Sequence, residues 1–188
     1  MFADHTLTPK EAIRLCALGS LAVGPRSYSE LAVSIRHFVS RVIGPTSEIM
    51  GHSIELLKYE GLVETTEGSG DDELLRITDA GREETRGLLM ASLRSSSTEL
   101  NKLIVSLKFR FMHLLSVNDP RTQADLLIDA CEQELARLED LRQHHAGDAG
   151  YLVPWLDHDL RLLESHLAWL NDLRARLANA DQSPAKTN

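Results

Sequence analysis

Cysteine is scarce in this sequence: Cys16 and Cys131 are the only two, and they lie far apart. Two distant cysteines supply neither the framework of a disulfide-stabilised domain nor the close spacing of a zinc site. Both fall among apolar residues at helical spacing, so we expect buried free thiols. No metal site is predicted.

Long apolar runs and enzyme motifs are also missing. No run of about 18 apolar residues occurs, so no membrane-spanning helix is predicted. The first residues lack the basic start and apolar core of a secretion signal, and we expect a cytoplasmic protein. No glycine-rich phosphate loop, metal-ligand motif or nucleophile elbow is found. The sequence therefore predicts neither an enzyme nor a cofactor, and no catalytic residues.

A surplus of basic charge is missing as well. The chain has 20 Lys and Arg residues against 28 Asp and Glu residues, a net charge of −8. Residues 1–60 are balanced, with six of each sign, and the acidic surplus of the first half follows them. Such a chain binds nucleic acid only where its basic residues cluster on one face.

A helix, a hairpin and another helix are predicted in the first half of the chain. The first of these helices ends at Gly61, since glycine adopts the left-handed conformation that closes many helices. Residues 62–66 and 74–78 have the pattern of paired strands around a glycine-rich tip. Thr78-Asp79 then provides the cap of the next helix.

Two further helices precede this segment. Thr8 with Glu11 is the signal of a capping box at the start of a helix, and Ser27 with Glu30 marks the second start. Gly44-Pro45 ends the second helix. Three helices followed by a hairpin and a helix form the plan of a winged helix-turn-helix domain, whose third helix usually enters a DNA major groove.

The second half predicts helices almost throughout. The last of them carries an apolar stripe close to a 3.5-residue repeat, which is typical of coiled-coil packing. Several leucines left in water would cost several kcal/mol at about 25 cal/mol per Å2, so we expect self-association through this half. The stripe consists of Leu156, Leu160, Leu163, Leu167, Leu170, Leu173 and Leu177.

The predicted fold class is thus mainly α with a small β-hairpin wing. We assign residues 8–94 to a winged-helix DNA-binding domain, residues 95–179 to a helical dimerisation and effector domain, and residues 180–188 to a disordered tail. The boundary lies at residues 95–98 because four consecutive hydroxyl side chains favour a helix interruption.

Several segments resemble the PadR family of bacterial transcriptional regulators. They are Gly61-Leu62-Val63 at the end of the third helix, Leu75 to Arg82 around the second wing strand, and His166 to Leu170 in the last helix. The resemblance covers about residues 8–178. It implies a homodimer that binds double-stranded DNA through two winged helices and represses or activates genes, with repression favoured. In several members of the family a small effector changes the affinity for DNA.

Candidate DNA contacts lie first at the start of the third helix. The hydroxyl groups of Thr46 and Ser47 suit phosphates or base edges, and His52 can donate to a purine acceptor. The alternative is a solvated helix face with ordinary caps.

Other candidates are charged or aromatic. Arg36, Arg41 and Lys58 are phosphate anchors by charge, or ordinary surface residues. Tyr28 either donates to a phosphate or packs half-buried. Arg76 either reaches the minor groove or pairs with a nearby acid, Asp79 or Glu73, and pairing is favoured.

An effector pocket is predicted from aromatic and sulfur side chains of the second half, with burial in a dimer core as the favoured alternative. These residues are Phe109, Phe111, Met112, Trp155 and Trp169.

The predicted function is a DNA-binding regulator acting as a homodimer on a two-fold operator. The alternative is a winged-helix protein-interaction module that has lost sequence-specific DNA binding. Gly51 favours this alternative because it replaces the tyrosine that the PadR family usually carries there, and so does the acidic wing tip at Asp71-Asp72-Glu73.

Overall fold

The structure, a computed structural model, describes residues 6–44, 51–66, 74–93, 99–116 and 118–182, without the side chains of 51–53 and 180–182. Helices dominate these residues. They are α1 (Pro9–Val23), α2 (Tyr28–Ile43), α3 (Gly51–Tyr59), α4 (Asp79–Met90), α5 (Glu99–Phe111), α6 (Asp119–His144) and α7 (Leu152–Gln182), with a 3-10 turn at Met112–Leu114. The described strands are β1 (Arg26–Ser27), β2 (Val63–Thr65) and β3 (Leu74–Ile77). A mainly α fold with a small β wing is confirmed.

The chain divides into two compact units. The winged unit contains the described residues up to Leu93 and those from Glu99 to Leu115. The hairpin unit contains the described residues from Ser116 onward.

The starts of α1 and α2 are fixed by the predicted capping boxes. The Thr8 hydroxyl accepts from the Glu11 backbone N–H at 3.3 Å, and the Glu11 carboxylate accepts from the Thr8 N–H at 2.7 Å. Ser27 and Glu30 make the same reciprocal pair. Each box satisfies backbone donors that a helix start otherwise leaves without a partner.

The core of the winged unit is centred on α1, which packs against α2, α3, α4 and α5. Most of its length is buried, and a Cβ atom at Gly19 would lie 2.6 Å from the Phe111 ring of α5. Only glycine allows α5 to approach α1 this closely. The core begins at Leu7, which is fully buried, one residue before the predicted domain start.

The small sheet has the strand order β1-β3-β2, and both pairings are antiparallel. β2 and β3 confirm the predicted hairpin, with slightly shorter strands than expected. β1 was not predicted, because two residues next to a helix cap show no alternating pattern. It pairs Arg26 with Leu75 and fixes the start of α2 against the wing.

Helix α5 lies in the winged unit, which differs from the predicted domain boundary at residue 94. Its apolar face, formed by Leu103, Ile104, Leu107 and Phe111, is buried in the core that α1 and α2 share. The run of hydroxyl residues before α5 is a signal for the end of a helix, but helix packing continues beyond it.

The hairpin unit consists of α6 and α7, which pack along each other. Leu138, Leu156 and Leu160 form its buried contact, and Arg174 pairs with Asp125 across the two helices at 3.2 Å. Helix α7 continues to Gln182, three residues past the predicted start of the tail, and residues 183–188 lie outside the description. No helix within the described ranges is long and apolar enough to cross a membrane.

Candidate nucleic-acid interface

Helix α3 is held from one side. Ile54 and Leu57 are buried against the core, whereas Leu56 is 50% exposed and Tyr59 is 90% exposed. Thr46 and Ser47, the predicted contacts at the helix start, lie outside the described residues. His52 is placed in the first turn of α3, but its side chain also lies outside the description.

Helix α2 presents predicted cations to solvent. Arg36 and Arg41 are exposed, while Leu31, Ile35 and Val39 of the same helix are buried. Tyr28 at the first position of α2 is 41% exposed. Arginine on an exposed helix face can approach a phosphate without losing a structural contact.

The side chains of Lys58 and Arg76 differ in burial and in ion pairing. Lys58 is half-buried in the last turn of α3. Arg76 donates to the Glu64 carboxylate at 2.6 and 3.0 Å, so it pairs with an acid as predicted, but with Glu64 rather than Asp79; Glu73 lies outside the described residues. The reason is the strand register, which places Glu64 directly opposite Arg76.

The base of the wing has little freedom. Gly61 has a φ of 72° and ends α3 in a Schellman motif, in which its N–H donates to Lys58 O and the Leu62 N–H donates to Leu57 O, each at 3.0 Å. Thr78 closes the other side: its hydroxyl donates to Gly61 O at 2.8 Å and its N–H donates to Leu62 O at 3.1 Å.

Gly81 explains how α4 fits beside this base. A Cβ atom there would overlap the Leu62 carbonyl, so the first turn of α4 lies directly on the chain that leaves α3. The Gly81 N–H donates to the Thr78 hydroxyl at 3.1 Å, which caps α4 as predicted. The end of α3, the two strands and the start of α4 are therefore fixed together.

Arg14 of α1 joins the elements on both sides of the wing. It pairs with Glu60, the residue after α3, and with Glu84 of α4, the latter at 3.2 Å. Its side chain is 24% exposed, so both ion pairs are partly shielded from water. Nothing in the sequence pattern marked Arg14, because its partners are 46 and 70 residues away.

Lys108 of α5 is another residue that the sequence analysis missed. Its ammonium group is buried and donates to Leu89 O and, at 2.7 Å, to Ala91 O, at and just beyond the end of α4. Burial lowers the pKa of Lys108 to about 7. A signal did exist: Lys108 lies on the apolar face of α5, four residues after Ile104.

Arg110 packs its guanidinium 4.6 Å from the centre of the Phe38 ring and 4.9 Å from that of Phe111. It thus connects α5 to the second half of α2 through cation–π contacts. Cys16 lies beside Arg110. Both cysteines, Cys16 and Cys131, are buried free thiols, as predicted. Burial raises the pKa of Cys16 to about 11, and the charge of Arg110 acts in the opposite direction.

The predicted effector residues are divided between the two units, so no pocket within a single unit contains all five. Phe111 and Met112 are buried in the winged unit, with the Phe111 ring packed on Gly19, and Phe109 is half-buried. Trp155 and Trp169 lie on α7, separated by about 21 Å at 1.5 Å per residue. A groove of about 520 Å3 in the hairpin unit contains none of the five; Glu139, Arg142, Gln143, Asp157, Leu160, Arg161 and Glu164 line it.

Comparison with solved structures finds PadR of Bacillus subtilis, alone and in complex with operator DNA, and smu.1604c of Streptococcus mutans UA159. Free PadR is 16% identical over 93% of this chain and 99% of its own, with a TM-score of 0.39. PadR in the DNA complex is 17% identical over 88% of this chain and 98% of its own, with a TM-score of 0.35. The smu.1604c structure is 17% identical over 86% of this chain and 99% of its own, with a TM-score of 0.38.

A search of curated proteins finds no match. A family model for AphA-like transcriptional regulators matches residues 2–174, nearly the whole chain. The predicted transcriptional regulator is confirmed, and the family is one of regulators rather than enzymes. The chain belongs to the family of AphA-like transcriptional regulators.

Proposed function

We propose that this protein binds double-stranded DNA as a homodimer and acts as a repressor in the cytoplasm. The observation that carries the proposal is a winged helix with a rigid wing base in a chain of a transcriptional regulator family. In such a domain the third helix enters the major groove and the neighbouring elements contact phosphates. Here α3 reads the bases and α2 supplies Arg36 and Arg41.

The acidic net charge is compatible with this role because the two arginines are exposed on one helix. Arg36 and Arg41 have no ion pair with any residue that the structure describes. Arg76 contributes less, since Glu64 already neutralises it. Binding that depends on few phosphate contacts has a shallow salt dependence, at about one unit of slope per contact.

Homodimer formation rests on the outer face of α7. Trp155, Leu162 and Trp169 recur every seven residues and are 54%, 57% and 43% exposed. The buried stripe of the same helix, around Leu156 and Leu160, already packs on α6. An α-helix with two apolar stripes can pack on two helices, and a second copy of α7 would cover the exposed stripe.

Repression and effector control follow from the PadR resemblance. The effector would act on the helical half and change the distance between the two winged units. Comparing a reporter gene under the bound promoter with and without the protein tests repression. A rise in expression on adding the protein would contradict it.

Fluorescence anisotropy with a duplex from upstream of the protein's own gene tests DNA binding, with a scrambled duplex as control at about 100 mM salt. We expect saturable binding to the first duplex, and equal binding to both would contradict the proposal. Arg41→Gln should weaken binding and reduce the salt slope by about one unit. Arg121→Gln, the same charge change on exposed α6, should leave both unchanged.

A second candidate function is a protein-interaction module that has lost DNA recognition. The exposed Leu56 and Tyr59 on α3 favour it, because a helix that reads DNA usually presents polar groups. The two functions predict different effects of Tyr59→Ser. Protein interaction requires the tyrosine ring, whereas duplex binding in the anisotropy titration does not.

A further inference from the structure

Arg14 occupies an unusual place in the winged unit. It is the point where α1, the end of α3 and α4 are joined by charge, through Glu60 and Glu84. The side chains of Glu60 and Glu84 are 34% and 36% exposed, so all three groups are partly removed from water. Partly buried ion pairs are screened by salt less than surface pairs are.

The two carboxylates lie on either side of the wing in the chain. Glu60 directly precedes Gly61, and Glu84 follows the Thr78 cap by six residues. One guanidinium therefore holds both the segment that enters the wing and the helix that leaves it. The Thr78 hydroxyl and N–H fix the same base from the sheet side.

Helix α3 benefits from such an anchor because the hydrophobic contact of its described side chains is small. It spans nine residues, and Ile54 and Leu57 are its fully buried side chains among those described. Two apolar contacts about one turn apart restrain translation of a helix but leave rotation about its own axis less restricted. A directional contact at the C-terminal end restricts that rotation.

We propose that Arg14 is a positioning residue, which sets the orientation of α3 relative to the wing through Glu60 and Glu84. This proposal rests on the proposed DNA binding, and it adds a residue that is not among the predicted contacts. An error in the orientation of α3 moves its outward side chains away from the base edges. DNA affinity then depends on a partly buried ion-pair cluster that does not itself contact DNA.

The sign of a charge change separates positioning from simple electrostatics. Glu60→Gln removes a negative charge, which alone strengthens attraction to DNA. The proposal predicts the opposite, a loss of about tenfold in affinity for the cognate duplex. Glu83→Gln is the matched control: it makes the same charge change at an exposed position of α4 without touching Arg14, and should leave affinity unchanged or raise it.

A double-mutant cycle tests whether Glu60 acts through Arg14. In an Arg14→Met background, Glu60→Gln should cause no further loss of affinity, because its partner is already absent. Additive losses would overturn the proposal. Glu84→Gln provides a second variant, which should also lower affinity, in case one of the others folds poorly.

Hydrogen exchange on the free, full-length protein makes the test independent of DNA. In Glu60→Gln, the amides of residues 54–59 should exchange faster, while those of α6 should not change. If the wild-type protein bound no duplex, the proposed function would fail, and this exchange pattern would still decide the positioning role. Unchanged exchange in α3 together with wild-type or higher affinity would refute it.

Discussion

The winged unit and the hairpin unit bury their apolar residues in different ways. In the winged unit, four helices and a sheet surround α1, and side chains such as Leu15 and Leu18 are fully buried. In the hairpin unit, two long helices share one contact line, and a second apolar stripe on α7 faces solvent within a single chain. The winged unit thus completes its own core, whereas the hairpin unit leaves apolar surface exposed, which the proposed second copy of the chain would cover.

Among the variants that compare the two units, Phe111→Ala should have the largest effect on stability. The Phe111 ring fills the space above Gly19, and its loss leaves a cavity that the helices cannot close. We expect the free energy of unfolding of the winged unit to fall by about 4 kcal/mol. Urea denaturation followed by circular dichroism measures it, and a loss below about 1 kcal/mol would show that the core adapts.

Leu162→Glu tests the other side of the comparison. The side chain is 57% exposed in one chain, so its replacement should hardly affect folding of a single hairpin unit. In the proposed dimer it lies between two copies of α7, and a buried carboxylate there should weaken dimerisation about 100-fold or more. Sedimentation equilibrium measures the change. Arg161→Glu, on the polar groove side of α7, is the control.

Lys108 predicts how the stability of the winged unit depends on pH. The pKa of Lys108 is lowered to about 7 in the folded protein, while its ordinary value is 10.5. Between these values the unfolded chain binds the proton more strongly, so stability rises with pH; the cost of burying the charge reaches its full value only below pH 7. We expect a gain of about 2 kcal/mol between pH 7 and pH 9.

The pH effect is isolated by comparing variants of α5. Lys108→Met should remove the rise seen with the wild-type protein in urea titrations at several pH values. Lys102→Met, at an exposed position of the same helix, should retain it. A rise that persists in Lys108→Met would assign the pH dependence to another group.

Glu64→Gln should have the smallest effect. The Arg76–Glu64 pair joins two exposed strand positions, and such pairs contribute about 0.2–1 kcal/mol to stability. Its removal frees Arg76, so affinity for the duplex should rise slightly while thermal stability is almost unchanged. A large loss of stability would mean that the wing depends on this pair.

The sequence predicted what local chemistry determines. Thr8, Ser27 and Thr78 cap helices because a hydroxyl next to a helix start is a local signal, and Gly61 ends α3 for the same reason. It also predicted the wing, because the alternation of residues around a glycine-rich tip is local.

What the sequence did not predict depends on distant partners. Arg14 meets one carboxylate just after α3 and another on α4, and β1 exists because β3 is available to pair with it. Helix α5 was assigned to the second domain because its amphipathic pattern predicts that one face is buried. The pattern does not indicate which helices that face packs against. For the candidate site, exposure of Arg36 and Arg41 was predictable from the spacing of apolar residues in α2, whereas the partner of Arg76 required the strand register.

The most direct test of the account is the stoichiometry of the DNA complex. Sedimentation velocity of a labelled duplex from upstream of the protein's own gene, titrated with the full chain, measures the mass of the bound species. We predict two chains per duplex for the wild-type protein. The control Phe109→Leu, which changes α5 and not α7, should give the same result, whereas Leu162→Glu should assemble more weakly. A complex with a single chain, or wild-type assembly by Leu162→Glu, would contradict a winged-helix dimer held by the outer face of α7.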